Sequence, residues 1–253
     1  MSVPLLTLKN IDKVYQNGAV ALQGVNLGIK PGEFISLVGP SGCGKSTVLR
    51  LVAGLGDPTG GTLAWQSPSD QRHLAFVFQE AALMPWATVV ENIYLPLKLK
   101  GHSLRSVRAQ IQAAINTVDL GGFEQSYPRQ LSGGMKMRVS IARALVTQPQ
   151  VLLMDEPFGA LDEMTRSRLN SDLLHLWEEN HWTVLFVTHN IYEAVYLSTR
   201  IIVMAADPGR VVGNIVIEAP FPRTSHFRTS TQFNHYCREI MTALSEVERV
   251  GVE

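Results

Sequence analysis

Gly39-Pro40-Ser41-Gly42-Cys43-Gly44-Lys45-Ser46 fits the pattern G-x-x-x-x-G-K-[ST] and directly follows the apolar run Phe34-Ile35-Ser36-Leu37-Val38. A buried strand, a glycine-rich turn and a helix opening at Thr47 to Leu51 give the pattern a mechanism. Successive backbone N–H groups turn inward on a polyphosphate, and the positive end of the helix adds to the same field. Lys45 is then expected on the β and γ phosphates of ATP, with the Ser46 hydroxyl offered to Mg²⁺. The other reading is an ordinary Gly-rich turn with its lysine in solvent. It explains neither the agreement of all four fixed positions nor that of both flanking elements. The expected ATP contacts are therefore Gly39, Pro40, Ser41, Gly42, Cys43, Gly44, Lys45, Ser46 and Thr47. Cys43 is expected to serve through its N–H with its side chain turned away, and a redox role for its thiol is the alternative reading.

Composition bounds the rest. With 253 residues, 45% of them hydrophobic, the chain can bury a full core. Twenty-two basic residues balance twenty-two acidic ones, which removes the usual electrostatic argument for wrapping nucleic acid or adhering to an anionic membrane. The two cysteines, Cys43 and Cys237, have no metal-ligand spacing and form no disulfide framework, so a reducing, cytosolic setting is expected. No run reaches the roughly 18 apolar residues of a membrane span, and Met1-Ser-Val-Pro4 lacks the basic and apolar regions of a signal peptide.

Along the chain, Leu6 and Leu8, then Val25, Leu27 and Ile29, show the period-2 alternation of half-buried strands around a turn at Asn17-Gly18. Leu74 to Phe78 is a further short strand ending at Gln79. From about Thr88 to Gln130 the spacing of Leu104, Val107, Ile111, Ala114, Ile115 and Val118 predicts helix, read as an insert. A helix over Val139 to Val146 precedes the strand Val151 to Met154. The strand Thr183 to Val187 then follows a helix carrying Leu169, Leu173, Leu174 and Leu176. Strands alternating with helices imply a mainly parallel sheet covered on both faces. Ile201 to Met204 and Val211 to Ile217 read as a hairpin, Arg223 to Thr231 as a linker, and Phe233, Tyr236, Ile240, Met241, Leu244 and Val247 as one face of a terminal helix.

Two further motifs narrow the chemistry. Val151 to Met154 delivers Asp155 and Glu156 at its carboxyl end, where α/β sheets gather their ligands. Asp155 suits the Mg²⁺ shell, and Glu156 is placed to orient or deprotonate an attacking water. Leu131-Ser132-Gly133-Gly134-Met135 forms a second anion cradle at the head of a helix, redundant if one chain built the site alone. A redundant cradle points to a second chain.

With these motifs in order, the sequence resembles the ATP-binding subunits of ABC transporters over essentially Leu6 to Ile217. Met135 stands where the family most often has Gln. The resemblance implies a P-loop NTPase core of α/β class, with a mainly parallel sheet, an N-terminal antiparallel β-subdomain and an inserted α-helical subdomain. It implies one nucleotide-binding domain over 1–253, with the insert at about 88–140 and the C-terminal hairpin and helix at about 201–253. It assigns adenine stacking to Tyr15, contact with Mg²⁺ and the attacking water to Gln79, and γ-phosphate contact to His189. Asp162, in Gly159-Ala-Leu-Asp162, falls in the loop through which subunits sense each other. Asn190 replaces the aspartate often seen after the histidine.

The resemblance further implies a head-to-tail pair of ATPase subunits, the same chain or a paralogue, that closes over two ATP molecules. The pair would dock on transmembrane permease subunits at the cytoplasmic face of the inner membrane, with an extracytoplasmic solute-binding protein as an indirect partner and no nucleic acid. Leu83-Met84-Pro85-Trp86 is expected to line the groove that receives the permease. That stretch, the form Leu-Ser-Gly-Gly-Met and the short C-terminus look like the importer group for nitrate, sulfonates, taurine and bicarbonate. The stretch after Ile217 is shorter than a regulatory domain of about 50 residues or more. Two rival readings are a soluble ABC-type ATPase acting on nucleic acid or the ribosome and a simple P-loop kinase. The first usually brings a coiled-coil insert, tandem domains or a basic surface, and the second gains nothing from the Leu131 to Met135 cradle.

Overall fold

The structure, a computed structural model, describes residues 3–67 and 73–250, with the backbone alone for 246–250. Met1, Ser2 and the Val247 side chain, on which readings above fall, lie outside the described residues.

The central sheet is built from strands whose sequences are mainly apolar runs, except for the edge strand Arg210–Val216, which carries Arg210, Gly213 and Asn214 and is largely unburied. In chain order the strands are β3 (Phe34–Val38), β5 (Leu74–Val77), β6 (Val151–Asp155), β7 (Thr183–Val187), β8 (Arg200–Ala205) and β9 (Arg210–Val216), arranged β5-β6-β7-β3-β8-β9. The first five are parallel and β9 closes the edge antiparallel to β8. A strand buried on both faces needs apolar residues at every position, and the packing shows this. Phe34, Val38, Leu152, Met154, Val184 and Phe186 belong to one core, while Ile35, Leu37, Val151, Leu153, Leu185 and Val187 belong to the other. Ser36 is the polar exception inside β3, and its hydroxyl is satisfied by Ser198 Oγ at 2.6 Å.

A second, antiparallel sheet of order β2-β1-β4 comprises β1 (Leu6–Val14), β2 (Val20–Ile29) and β4 (Gly60–Trp65). It covers one face of the central sheet: Leu6, Leu8, Ile11, Leu27 and Ile29 share a core with Ile35 and Leu37. Strand β4 was not legible in the sequence, because Gly60-Gly61 reads as a turn and no residue of the strand is buried. Gly61 has φ +79°, and a Cβ there would overlap the Asn10 carbonyl. Glycine is what lets β4 cross the bulge in β1.

The helices are α1 (Lys45–Val52), α2 (Val89–Leu99), α3 (Arg108–Thr117), α4 (Gly133–Leu145), α5 (Glu163–Asn180), α6 (Ile191–Leu197), α7 (Ser225–Arg228) and α8 (Thr231–Val250). α2 opens with a capping box of Thr88 and Glu91. α3 starts later than its apolar spacing suggests, and Leu104 lies before it, 43% exposed. α4 begins six residues before the expected Val139, at Gly133, because Ser132 caps it by accepting the Met135 N–H at 3.2 Å. The cap outweighs the low helix propensity of two glycines.

The segment from Arg223, expected to be a linker, is instead an anchor. Arg223 is 4% exposed and its guanidinium donates to the carbonyls of Val195, Tyr196, Ser198, Ile217 and Ala219, with the Phe221 ring 4.1 Å away. It closes the end of α6 and ties the C-terminal segment to it. Burial lowers its pKa to about 10, which leaves it a cation at neutral pH. Removing one donor that serves five buried acceptors has no local compensation. Arg223→Ala is expected to cost about 3–4 kcal/mol of unfolding free energy, read from urea denaturation. Arg223→Lys should recover only part, since an ammonium cannot span those carbonyls.

Candidate functional site

The loop Gly39 to Gly44 leaves the centre of the sheet at β3 and enters α1. Its back is pressed against the body: a Cβ on Gly39 would lie 2.5 Å from the Met204 carbonyl, and one on Gly44 would overlap Leu22. Gly42 and Gly44 have φ of +82° and +87°, a conformation that turns successive N–H groups to one side. Ser41 and Gly42 form the exposed crest. Lys45 is 6% exposed and folds back over the loop, with Nζ 2.9 Å from both the Gly39 and Pro40 carbonyls. α1 has no acid in its first turn, so nothing there offsets the positive end of the helix. Pro40 and Thr47 frame the two ends of this concavity, and the Thr47 hydroxyl lies 3.1 Å from the Tyr15 hydroxyl. The Tyr15 ring is 40% exposed, with the Lys13 ammonium 5.6 Å from its centroid.

Cys43 is fully buried, and burial pushes its thiol pKa up despite the adjacent Lys45. A buried, protonated thiol is a poor redox sensor. Its N–H approaches the Pro40 carbonyl at 3.4 Å.

At the carboxyl end of β6, two strands from β3 in the sheet order, Asp155 accepts the Ser46 hydroxyl at 2.8 Å. Burial is the chief cause that raises the Asp155 pKa, with the neighbouring Glu156 adding to it. An all-oxygen pair of hydroxyl and half-buried carboxylate is the donor set Mg²⁺ takes when substrate phosphates supply further ligands, so these residues fit that ion. Glu156 itself is left-handed, φ +44°, with its N–H bonded to the Val187 carbonyl at 2.9 Å. That turn brings its Oε2 to 3.1 Å from His189 Nδ1. Gly159 faces both side chains in question: a Cβ there would sit 3.7 Å from Gln79 Nε2 and 3.7 Å from Glu156 Oε2. Gln79, Glu156 and His189 therefore converge at one strand edge, although 33 positions separate Glu156 from His189.

Leu131 is buried and anchors the second cradle, whose Ser132 and Gly133 are exposed. Gly134 is a packing glycine: a Cβ would lie 2.6 Å from Thr165 Cγ2, so its absence lets α4 approach the start of α5. Met135 is partly buried against the core, so no polar side chain stands at that position. α4 packs on α2, α3 and β5. β6 and β7 lie between β5, on which α4 packs, and β3, which leads into the phosphate loop. Both cradles face the edge where the parallel strands end. Among the described residues the Ser132 turn lies against Leu161 and Thr165, while Lys45 lies on Gly39 and Pro40, with no hydrogen bond between the two cradles. Asp162, which follows both in the chain, caps α5 by accepting the Thr165 N–H at 3.0 Å, and its pKa is lowered first by the Thr165 side chain and then by that N–H.

Asn190 caps α6, accepting N–H groups from Tyr192 and Glu193. The residue against the His189 ring is Glu156. Trp86 is 75% exposed, so it does not serve to pack the insert onto the core. Asn92, wholly buried, bonds the backbone of Met84, Ala87 and Thr88 and so shapes the loop that presents Trp86. Arg143 of α4 donates to the carbonyls of Ala81 and Ala82, at 2.7 and 2.9 Å, just beyond Gln79. Neither Asn92 nor Arg143 was legible as a site residue, since each acts on backbone that no side-chain pattern records. A cavity of about 950 Å³ lies at the other end of the strands, between the last turns of α3, α4 and α5, and contains none of the residues above.

Residues 22–159 match the family described as ABC transporter. An aliphatic sulfonates import ATP-binding protein, SsuB of Bacillus cereus, is 44% identical over 236 residues, 91% of this chain and 90% of its own. An uncharacterized ABC transporter ATP-binding protein of Methanocaldococcus jannaschii, MJ0412, is 43% identical over 95% of this chain and 91% of its own. Among solved structures, the dimeric ABC transporter cassette MJ0796 superposes with a TM-score of 0.73 at 36% identity, over 85% of this chain and all of that one. The same cassette, dimeric with ADP and Pi after hydrolysis, gives 0.74 at 36% identity, with the same coverage.

Proposed function

Because the chain belongs to the ABC transporter family of ATP-binding subunits, and so hydrolyses ATP to drive transport, we propose that it powers import of a small oxyanion as one of a head-to-tail pair. The observation that carries the mechanism is the Glu156–His189 contact beside the Ser46–Asp155 bond. Lys45 and the backbone N–H groups of the Gly39 to Thr47 loop, apart from Pro40, which has none, hold the polyphosphate, and Tyr15 stacks on the adenine. Ser46, Asp155 and Gln79 would hold Mg²⁺, which when bound would supply charge neutralisation to the phosphates. Glu156 orients the attacking water and takes its proton, His189 contacts the γ-phosphate and steadies Glu156, and Gln79 reports the state of the site toward the insert. Ser132, Gly133, Gly134 and the Leu131–Met135 turn as a whole complete the site of the neighbouring chain, with Asp162 at the seam. Support for this comes from the placement of the two cradles on different elements, with no hydrogen bond between them among the described residues, and from the dimeric MJ0796 cassette.

Among the described residues no helix is long and apolar enough to cross a membrane, so the link to transport runs through permease subunits. The exposed Trp86, held out by Asn92, is the contact proposed for them, and it lies next to the loop that Arg143 ties to α4. A solute-binding protein on the far side delivers the cargo. The SsuB relative favours sulfonates within the oxyanion class. Purification of the intact membrane complex and a screen of nitrate, taurine, alkyl sulfonates and bicarbonate for stimulated hydrolysis test this reading. Stimulation by none of them, with stimulation by a cationic or apolar solute, would overturn the oxyanion assignment. Trp86→Ala is expected to leave the melting temperature within about 2 °C, as for surface changes in general. It should lower recovery of the permease complex severalfold in pull-down.

A further inference from the structure

Among the described residues, the core contains one buried acid outside the site that the mechanism above does not use. Glu193, on α6, is 6% exposed. Its Oε2 accepts the Thr188 hydroxyl at 2.5 Å, and its Oε1 lies 3.4 Å from Asn170 Nδ2 and 3.7 Å from Arg166 Nε. Thr188 immediately precedes His189, and the same hydroxyl accepts the Asn190 N–H at 3.0 Å. The backbone on both sides of His189 is thus fastened to one carboxylate. Arg166, on α5, in turn donates to the carbonyls of Leu161 at 2.8 Å and Phe158 at 3.3 Å. Those carbonyls belong to the loop that runs from Glu156 to Asp162.

We propose that Arg166 and Glu193 are positioning residues that fasten the loop carrying His189 to the loop leaving Glu156, and so set the Glu156–His189 contact. This inference rests on the hydrolytic role given above to those two side chains. The His189 ring is 58% exposed, so little packing fixes its rotamer, and its place follows from the backbone that Thr188 holds. A mispositioning of about 1 Å at a reacting group costs up to a hundredfold in rate. As a stability device the arrangement is poor, because burying both charges offsets most of their attraction. Burial indeed raises the Glu193 pKa, with the bonds from Thr188 and Asn170 and the charge of Arg166 acting the other way.

The test is a double-mutant cycle on the full chain, read by single-turnover hydrolysis of radiolabelled ATP with Mg²⁺ and by the affinity for a non-hydrolysable ATP analogue. Arg166→Ala should lower the hydrolysis rate about tenfold and leave analogue affinity within about twofold. Arg166→Lys should restore part of the rate, since one ammonium cannot serve Glu193 and both carbonyls. In a His189→Ala background, the same Arg166→Ala change should cost less than about twofold. An equal loss in both backgrounds, or a loss matched by the fraction of unfolded protein, overturns the proposal. Should Arg166→Ala fail to fold, Glu193→Gln carries the same cycle, as it preserves shape and the Thr188 acceptor while removing the charge. A wild-type chain that binds ATP without ever hydrolysing it would instead sink the functional reading itself.

Discussion

Replacing Glu156 with Gln should leave ATP binding intact and lower hydrolysis by about 10²–10⁴-fold, the usual range for loss of a general base. The amide keeps the size of the side chain and a partner for His189 Nδ1, now 3.1 Å from Oε2, but cannot accept a proton. Lys45, Ser46 and Tyr15, to which the proposal assigns the binding, are untouched. A chain that closes on ATP and cannot cleave it should accumulate as a dimer, visible by size exclusion with ATP and Mg²⁺. Retention of wild-type turnover by Glu156→Gln would remove Glu156 from the reaction. A monomer at saturating ATP would count against closure.

The second large effect is at Lys45. Its ammonium is 6% exposed and already lies between two carbonyls of the loop, so it is held where a polyphosphate would meet it without a search through rotamers. A charge-assisted hydrogen bond contributes about 1.5–3 kcal/mol, so Lys45→Ala should weaken ATP binding about tenfold to a hundredfold. Titration of a fluorescent ATP analogue reads this directly. Lys45→Met keeps most of the volume and should show the same loss, which separates the charge from the packing. Unchanged affinity in both variants would move the phosphates away from this loop.

Much of this was legible in the sequence for a physical reason. A phosphate loop is contiguous, because consecutive N–H groups must face one ligand, and Gly39 to Ser46 states it in eight residues. The parallel strands were equally plain, since a strand covered on both faces has no polar alternation to confuse. Strand β4 was hidden by its exposed residues and by the glycine that its crossing of the bulge requires. Arg223 read as part of a polar linker because composition does not show that five carbonyls converge on one guanidinium. The same limit applies within the site. Arg143 meets the Ala81 carbonyl across 62 positions, and Arg166 meets Glu193 between separate helices. Both are contacts between elements, and periodicity within an element does not report them.

The central claim is that one nucleotide is held between the Lys45 loop of one chain and the Ser132 turn of another. It is tested most directly by mixing two singly substituted chains, Ser41→Cys and Ser132→Cys, under mild oxidation. Both positions are exposed, and the native Cys43 and Cys237 are buried, so cross-links report the introduced thiols. A mixed disulfide dimer that forms with ATP, and hardly without it, is the expected result. Cross-linking that is absent with ATP, or the same with and without it, would contradict the claim.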